Sequence, residues 1–565
     1  MIQKILYCLM IIDIKILFQR MLKVLFETEI PLPIDLNPVR DSNGQISNAF
    51  RPRKKLNPEQ QNALMYGLAV KDVFCLHGPP GTGKSTTIGE LVTILANRNK
   101  KILIAAPSNA AVDVMIAKIS ENLPTLNIVR AGNYFKTANN VKKYHFETIF
   151  RNDPDRQRLC RLLARTRGKD KKAIRDELKA IEDRILRDNI PKATVVAGTC
   201  MSVGLRVSQF LDLTTFDVTI IDEAGQGNEP EMYPIISKCA GKVILAGDPL
   251  QLPPTVFNEQ MKHVLEDTLM QNLMDKYPQN TIMLKTQHRM NKVISNWVSK
   301  RTYKNELIPH HTVANHILEH LPEVQPGKKN TFIGDLLKRP MTFIDTQTTM
   351  IENQRETSKM NKGEAGVVMY LVKKMMKQGL APRKIAVISP YKAQVQYLLS
   401  YLPKGVHCKS VDGYQGGEAE LVILSFVRSN GFTNERRSIG FLHDERRLNV
   451  AVSRARRGLI CIGSAPTISK VDYLSEMIGY IQANNGLKNI DDIIQGSNGE
   501  LKKECMRVGH VIRKPSDSEQ NGPSNPPLRS GAGGAVTSSR RSRNRQNRSR
   551  NRPPSKMMAG LSLRT

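Results

Sequence analysis

The hydrophobic positions from Val73 to Ser464 gather into short uninterrupted runs separated by amphipathic stretches. The first five runs are VFCLHG (Val73–Gly78), KILIAAPS (Lys101–Ser108), ATVVAGT (Ala193–Thr199), FDVTIIDEA (Phe216–Ala224) and KVILAGD (Lys242–Asp248). After a gap come MTFIDT (Met341–Thr346), KIAVISPY (Lys384–Tyr391), LVILSFVRS (Leu421–Ser429) and LICIGS (Leu459–Ser464). Runs of this kind, without polar alternation, suit strands buried on both faces of a parallel sheet. Helical spacing between them predicts an α/β architecture. The two clusters predict two tandem domains, 56–280 and 281–495. Between Asn133 and Pro191 the pattern becomes charged and helical, which predicts a helical insertion (about 133–191) between two strands of the first sheet. Its basic face is a candidate nucleic-acid contact, with a solvated helix face as the plain alternative.

Composition changes this picture at the two ends. The 565 residues are 40% hydrophobic and 24% charged, ordinary for a soluble globular chain. Lys and Arg number 84 against 52 Asp and Glu, a net charge of +32. Fifteen basic and three acidic residues fall between Leu501 and Thr565, so most of the excess lies on the body. A basic body suggests a polyanionic partner, since cationic side chains that neutralise phosphates release counterions. From about 496 the chain is rich in Ser, Gly, Pro, Asn and Arg, and 496–565 is expected to be a disordered basic tail. Its Arg540–Arg552 cluster suits non-specific RNA binding, nuclear targeting or simple solubility. None of the eight cysteines forms a C-x-x-C pair, and several lie in apolar runs. This points to a reducing compartment, cytoplasmic or nuclear, with no disulfide framework and no zinc module. The apolar N-terminus carries Lys4, Asp13, Lys15, Arg20 and Lys23, and no run reaches the roughly 18 residues of a membrane span. Ile5–Ile12 has the length of a signal core, but no small-residue cleavage site follows it. Residues 1–55 are expected to be a structured segment or the remnant of a truncated upstream domain.

The strongest chemical signal is GPPGTGKST, Gly78 to Thr86, which matches G-x-x-x-x-G-K-[ST] between a strand and a helix. Gly78, Gly81 and Gly83 let backbone N–H groups surround phosphate oxygens, with Thr82 and Thr86 in the same loop. Lys84 is expected on the β and γ phosphates, and Ser85 on Mg²⁺. In TIIDEAGQ, the strand end delivers Asp222, a candidate for the Mg²⁺ shell, and Glu223, a candidate to orient and deprotonate water. GDPLQLPPT places Gln251 in a Pro-rich loop at the carboxyl end of a strand, where it can sense the γ-phosphate or the water.

With QHRM, VDGYQGGE and RRLNVAVSRAR further on, these motifs occur in the order found in superfamily 1 helicases. The chain resembles their Upf-like branch, which includes senataxin-like relatives, over roughly Leu56 to Ser464. The resemblance implies two RecA-like P-loop domains that bind ATP and Mg²⁺ between them and grip single-stranded nucleic acid across their tops. It implies that Gln60 of LNPEQ reads the adenine edge, and that Ser108, Asn109 and Thr199 meet the strand backbone. It places Arg289 on the γ-phosphate, Gln415 and Gly416 near the phosphates and Glu418 near the ribose. Arg454 becomes an arginine finger, and Tyr391 and Gln394 a further strand-facing loop. His288 stands where relatives often carry a tyrosine that stacks on adenine. Imidazole is flat and is expected to line the base with less area. Relatives also carry an accessory β-barrel before LNPEQ, for which about 55 residues are too few.

A guanidinium at a phosphoryl-transfer transition state lowers the barrier without needing deprotonation. If arginines and P-loop come from different domains, hydrolysis depends on domain closure. The expected function is therefore an ATP-dependent helicase or translocase on single-stranded RNA or DNA, RNA by preference and 5′ to 3′ by resemblance. Ribonucleoprotein components are further candidate partners, and no membrane is involved. The alternatives are a DNA helicase, a non-unwinding ATPase clamp and, weakest, an RNA-binding scaffold.

Overall fold

The computed structural model describes residues 20–25, 29–168, 170–207, 210, 216–256, 258–326, 331–347, 350, 352–355, 358–430 and 439–510. The Ile5–Ile12 run, Cys8 and the Arg/Ser tail beyond 510 lie outside the described residues.

The five apolar runs of the first half form β1 (Val73–His77), β2 (Ile102–Ala106), β4 (Val195–Thr199), β5 (Phe216–Asp222) and β6 (Cys239–Gly247). Two short strands join them, β3 (Ile128–Ala131) and β7 (Thr281–Met283). Neither made an apolar run long enough to stand out in the sequence. The sheet order is β3-β4-β2-β5-β6-β1-β7, with every pairing parallel. Because β7 pairs with β1, the first sheet runs to Met283, past the expected boundary at 280. Register sets His77 opposite Gly247 and Asp222 opposite Ala246, so the carboxyl ends of β1, β5 and β6 lie level. That edge is where parallel α/β sheets bind ligands.

Between β3 and β4 the insertion is helical as expected, with helices Phe146–Arg151, Pro154–Arg165 and Asp170–Asn189. Leu159, Ile174 and Leu178 form a small core of its own. Arg156 ties the helices together, 3.1 Å from Glu147 and 2.9 Å from Glu182. Upstream, helix Arg20–Leu25 buries Met21, Val24 and Leu25 in the core of the first half. The segment that follows runs over the same half, with Leu32 N donating to Asp72 (2.7 Å) and Arg53 N donating to Glu90 (2.7 Å).

A short parallel pair, β8 (Thr286–Gln287) and β9 (Ile308–Pro309), leads into the second half. There the four expected runs form β10 (Met341–Asp345), β13 (Ile385–Ser389), β15 (Ala419–Ser425) and β16 (Ala455–Gly463). A hairpin of β11 (Asn353–Arg355) and β12 (Ser358–Met360) lies outside the main sheet. The strands β14 (His407–Ser410) and β17 (Leu487–Asn489) close its two edges, giving β14-β13-β15-β16-β10-β17, again wholly parallel. Edge strands bury less, so their polar sequences carried no apolar signal. The structure thus contains two parallel α/β domains in tandem with a helical insertion in the first. Among the described residues, no helix is long and apolar enough to cross a membrane.

One buried acid supports the second sheet. Glu364, in helix Lys362–Lys377, is fully buried and accepts hydrogen bonds from Ser425 Oγ (2.7 Å) and Val427 N (2.9 Å). Asn361 Nδ2 donates to the carbonyl of the same Val427 (3.2 Å). Val427 has φ 72°, a conformation costly for a β-branched residue, and these two partners hold it there. Burial pushes the Glu364 carboxyl up to about 8. An unfolded glutamate ionises near 4.5, so between these values only the unfolded chain loses the proton. The contribution of Glu364 to stability therefore falls as pH rises from about 4.5 to about 8, by about 1.4 kcal/mol per pH unit, and is level above that. Glu364→Gln removes this dependence. In urea unfolding, the variant is expected to gain stability relative to the parent between pH 5 and 8, and a constant difference would contradict the assignment.

Candidate nucleotide site between the two halves

The loop after β1 is shaped by two glycines with positive φ, Gly81 at 76° and Gly83 at 82°. A Cβ at Gly81 would lie 2.7 Å from the Arg289 Cβ, and one at Gly83 would lie 2.4 Å from Gln60 Nε2. Backbone conformation and close approach thus both demand glycine here. Thr82 is buried and donates its hydroxyl back to Pro79 O (2.7 Å). Ser85 and Thr86 lie in the first turn of helix Lys84–Asn97, whose positive amino end closes the loop.

Lys84 Nζ sits between two carboxylates, 2.5 Å from Asp222 Oδ1 and 2.9 Å from Glu223 Oε1. Burial pulls the ammonium down, and Asp222 and Glu223 together more than offset it, holding Lys84 above its ordinary value. Burial pushes Asp222 up, Lys84 opposes this, and the second carboxylate at Glu223 adds to it. One ammonium between two carboxylates leaves one negative charge over. Glu223 itself is in the left-handed region (φ 54°), and its second oxygen accepts from Gln226 Nε2 (2.6 Å).

The second half supplies the other wall. Glu59, in helix Pro58–Ala69, accepts from Lys285 N (3.0 Å) and Thr286 N (2.9 Å), pinning the crossing strand to the first half. His288 N then donates to Gly81 O (2.8 Å). Buried Gln287 accepts from Arg289 N (2.8 Å) and Met290 N (2.7 Å), which fixes the turn that carries Arg289. Arg454 and Glu418 immediately precede Ala455 and Ala419, which pair at the amino ends of β16 and β15. Arg454 is 3% exposed. Its guanidinium donates to Val450 O (2.9 Å), Gly417 O (3.3 Å) and, across the cleft, Gln251 Oε1 (2.8 Å). All three acceptors are uncharged, and among the described residues no carboxylate lies within ion-pair distance of it. Burial pushes Arg454 down to about 9, with neighbouring Arg289 adding to the effect.

Several residues named from the sequence are placed otherwise than expected. Gln60 spends both ends of its amide inside the protein, accepting from Asn57 N (3.1 Å) and donating to Thr82 O (3.0 Å). It buttresses the P-loop through one N–H and one oxygen lone pair. Glu418 is bound to Arg289 (2.7 Å) and Arg456 (2.9 Å), so it positions arginines and is not a free ribose acceptor. Burial pushes its carboxyl up, and Arg289 first among the surrounding arginines outweighs this, leaving it below the usual range. Tyr391 and Gln394 face the interior. Tyr391 is 3% exposed and donates to Ile439 O (2.9 Å). Gln394 is fully buried, donating to Asn361 O and Ser425 Oγ, both at 3.1 Å. Both pack the second domain and are withdrawn as strand contacts. The Asn109 side-chain oxygen accepts from Arg130 (2.9 Å), while Ser108 is exposed as the cap of helix Asn109–Asn122. Thr199 is half-buried, 2.8 Å from Ser202 Oγ. His288 is exposed, with its ring 4.3 Å from that of His310. Gly416 has φ 75°, and the side-chain nitrogen Nε2 of neighbouring Gln415 is buried with no partner among the described residues.

Comparison with known proteins agrees with this geometry. AAA domain models match residues 55–167 and 155–259 (AAA_11) and 265–466 (AAA_12). The chain is 30% identical over 501 residues to DNA polymerase alpha-associated DNA helicase A of Saccharomyces cerevisiae, spanning 81% of this chain and 72% of that one. The chain belongs to the Upf1-like branch of the superfamily 1 helicases. It is also 32% identical over 508 residues to DNA-binding protein SMUBP-2 of Mesocricetus auratus (83% of this chain, 50% of that one). ATP-dependent helicase upf1 of Schizosaccharomyces pombe is 31% identical over 476 residues (78% and 47%). The chain therefore spans about half the length of several curated relatives that it matches.

This Upf1-like chain has a buried link across the cleft that sequence reasoning missed. Asp248, at the end of β6, is 2.9 Å from His77 Nε2 and accepts from Tyr303 Oη (2.6 Å) and Gln251 Nε2 (2.7 Å). Tyr303 Oη accepts from Asn449 Nδ2 (3.0 Å), which also donates to Leu250 O (2.9 Å). Burial pushes Asp248 up, and its donors, His77 first, hold it below the usual range. His77 and Asp248 come from the first half, Tyr303 and Asn449 from the second. Asp248 lay inside a quoted motif, but Tyr303 had no motif around it. Tyr303→Phe is expected to cost about 1.5–3 kcal/mol, the scale of a hydrogen bond to a charged group. Combined with Asp248→Asn in a double-mutant cycle on the first urea transition, it is expected to show coupling above about 1 kcal/mol. Additive effects would mean that the contact does not join the halves.

Proposed function

We propose that this chain is an ATP-driven motor that hydrolyses ATP in the cleft and uses closure and opening of the two halves to move along single-stranded nucleic acid. The observation that carries this is Arg454, a buried guanidinium with only neutral hydrogen-bond acceptors, facing a P-loop. A buried cation with no ion pair, drawn only at longer range by Glu223 and Glu418, is costly, and an anionic γ-phosphate is the partner that this position suits. The backbone from Gly81 to Ser85 cradles the β and γ phosphates. Lys84 neutralises Asp222 and Glu223 and transfers part of that role to the phosphates when they arrive. The donor set of Asp222 carboxylate and Ser85 hydroxyl is all oxygen, and the leftover negative charge suits a hard divalent cation. Mg²⁺ held there supplies further neutralisation of phosphate charge. Glu223 orients the water and takes its proton, while Gln251 and Arg454 meet the charge that develops on the γ-oxygens.

The family supports strand-coupled hydrolysis, and its resemblance supports 5′ to 3′ movement. The basic Arg/Ser tail favours RNA, with ribonucleoprotein components as further partners. DNA is the second reading, favoured by the names of relatives such as DNA polymerase alpha-associated DNA helicase A. Six buried cysteines without a disulfide among the described residues suit a reducing compartment, cytoplasmic or nuclear.

ATPase rates measured without polymer, with single-stranded RNA and with single-stranded DNA test the proposal. Stimulation by at least one polymer is expected, with loss of about 10³-fold in Arg454→Ala and a comparable loss in Lys84→Ala. No stimulation by either polymer sinks the motor reading. Duplexes with a 5′ or a 3′ overhang test polarity, and equal unwinding from both ends contradicts it. Hydrolysis without strand displacement leaves the ATPase clamp.

A further inference from the structure

Phe135 leaves 90% of its surface exposed, the largest value among the large hydrophobics of the described residues. It does so on a firmly built turn. Asn133 Oδ1 accepts from Phe135 N (2.9 Å) and Lys136 N (3.3 Å), and Thr137 Oγ1 donates to Asn133 O (2.9 Å). The turn follows β3, at the carboxyl edge of the first sheet.

A buried arginine ties this turn to its neighbours. Arg130, on β3, is fully buried and holds Asp113 with Nε (3.2 Å) and Nη2 (3.1 Å). The other oxygen of Asp113 accepts from Ala138 N (2.7 Å), just past Phe135. The same guanidinium reaches Asn109 (2.9 Å), beside the exposed cap Ser108. Gly132 lies between this clamp and the β4 end, since a Cβ there would stand 2.4 Å from Arg130 Nη1 and 3.2 Å from Ser202 Oγ. Ser202 bonds Thr199, and between them Met201 is 54% exposed. Strands β3, β4 and β2 are neighbours in the sheet, so Phe135, Thr199 and Ser108 share one continuous edge.

Beside the Phe135 ring stands a second aromatic, Tyr134, which carries the nearby cations, one of them (Arg151) also 3.5 Å from Glu147. Tyr134 packs edge-on to Phe135 (6.0 Å, 82°), and Arg151 and Lys142 stand 4.5 and 5.1 Å from the Tyr134 ring centre. A nucleobase offers a flat π-face and its backbone offers anions, so an exposed aromatic among cations matches a single strand better than an apolar protein surface.

We propose that Phe135 is a base-stacking platform for the single strand, set beside Ser108 and Thr199 by the Arg130–Asp113 clamp. This rests on the motor reading above, and stacking gives affinity without sequence preference because every base has a π-face.

The test uses the full chain with uridine and deoxythymidine 12-mers. Phe135→Ala is expected to raise the strand concentration for half-maximal ATPase about tenfold at an unchanged saturating rate, and Phe135→Tyr is expected to restore it. The chain has one tryptophan, Trp297, which is buried. Phe135→Trp therefore adds an exposed fluorophore, whose emission is expected to be quenched by the 12-mers and not by an abasic strand of equal length. Phe135→Ala binding strand like the parent, or equal quenching by the abasic strand, overturns the proposal and assigns the ring to another occupant, such as a protein. Quenching is read without ATP, so it judges the platform even if the parent ATPase ignores every strand, the result that would sink the motor reading alone.

Discussion

A carboxylate pair sharing one ammonium and a buried guanidinium without an ion pair face one cleft from opposite sides. In the first half, Lys84 sits between Asp222 and Glu223 and leaves a negative charge over. In the second, Arg454 is buried against neutral oxygens. A charge left in a protein interior without its counter-charge is expensive, so each is held by the fold around it. The level carboxyl ends of β1, β5 and β6 set the first arrangement. The paired amino ends of β15 and β16 set the second. A phosphate chain with a divalent cation complements both at once, which gives the two halves a reason to close together.

Closure also has a mechanical basis in neutral and hydrogen-bonded contacts. The Gly81 carbonyl accepts from His288 N, and Glu59 grips the backbone at Lys285 and Thr286. The Asp248–Tyr303–Asn449 chain lies under the P-loop strand, where His77 adds its ring nitrogen. Asp248, His77, Tyr303 and Asn449 are buried, so their mutual bonds face little competition from water and are strongly directional. Arg289 does not stand free within this frame. Glu418 and the Ser453 carbonyl hold its guanidinium, so a phosphate must draw it from an existing ion pair.

The opposite end of the same sheet edge has a different character. Around Arg130 the interior is polar, and what it presents to solvent is Phe135, Met201 and the Ser108 cap. The motor proposed above uses both characters on one rigid element, since a shift at the phosphate loop reaches a strand only through elements that do not deform. The parallel sheet, buried on both faces, is that element.

Nine apolar runs announced nine strands of the two main sheets, because strands buried on both faces must be apolar throughout. The P-loop glycines, Lys84, Asp222 and Gln251 were named from local motifs and Arg289 and Arg454 from the resemblance, and the structure brings them to one cleft. The short strands β3, β7, β14 and β17 were not legible, as edge positions and a buried arginine in β3 break the apolar signal. Tyr391 and Gln394 lie in a motif-like loop yet point inward, and no local pattern reveals which face a side chain takes. Tyr303 acts through partners far off in the chain, Asp248 and Asn449, while Gln287 and Arg130 act through nearer ones, in pairings that no motif marks. Sequence alone determined the architecture and the chemistry of each motif, because those depend on near neighbours. Only the tertiary structure decided which amides and carboxylates were already spent on the protein itself, because partners outside the local motif, such as Thr82 for Gln60 and Arg289 for Glu418, are chosen by packing, not by local pattern.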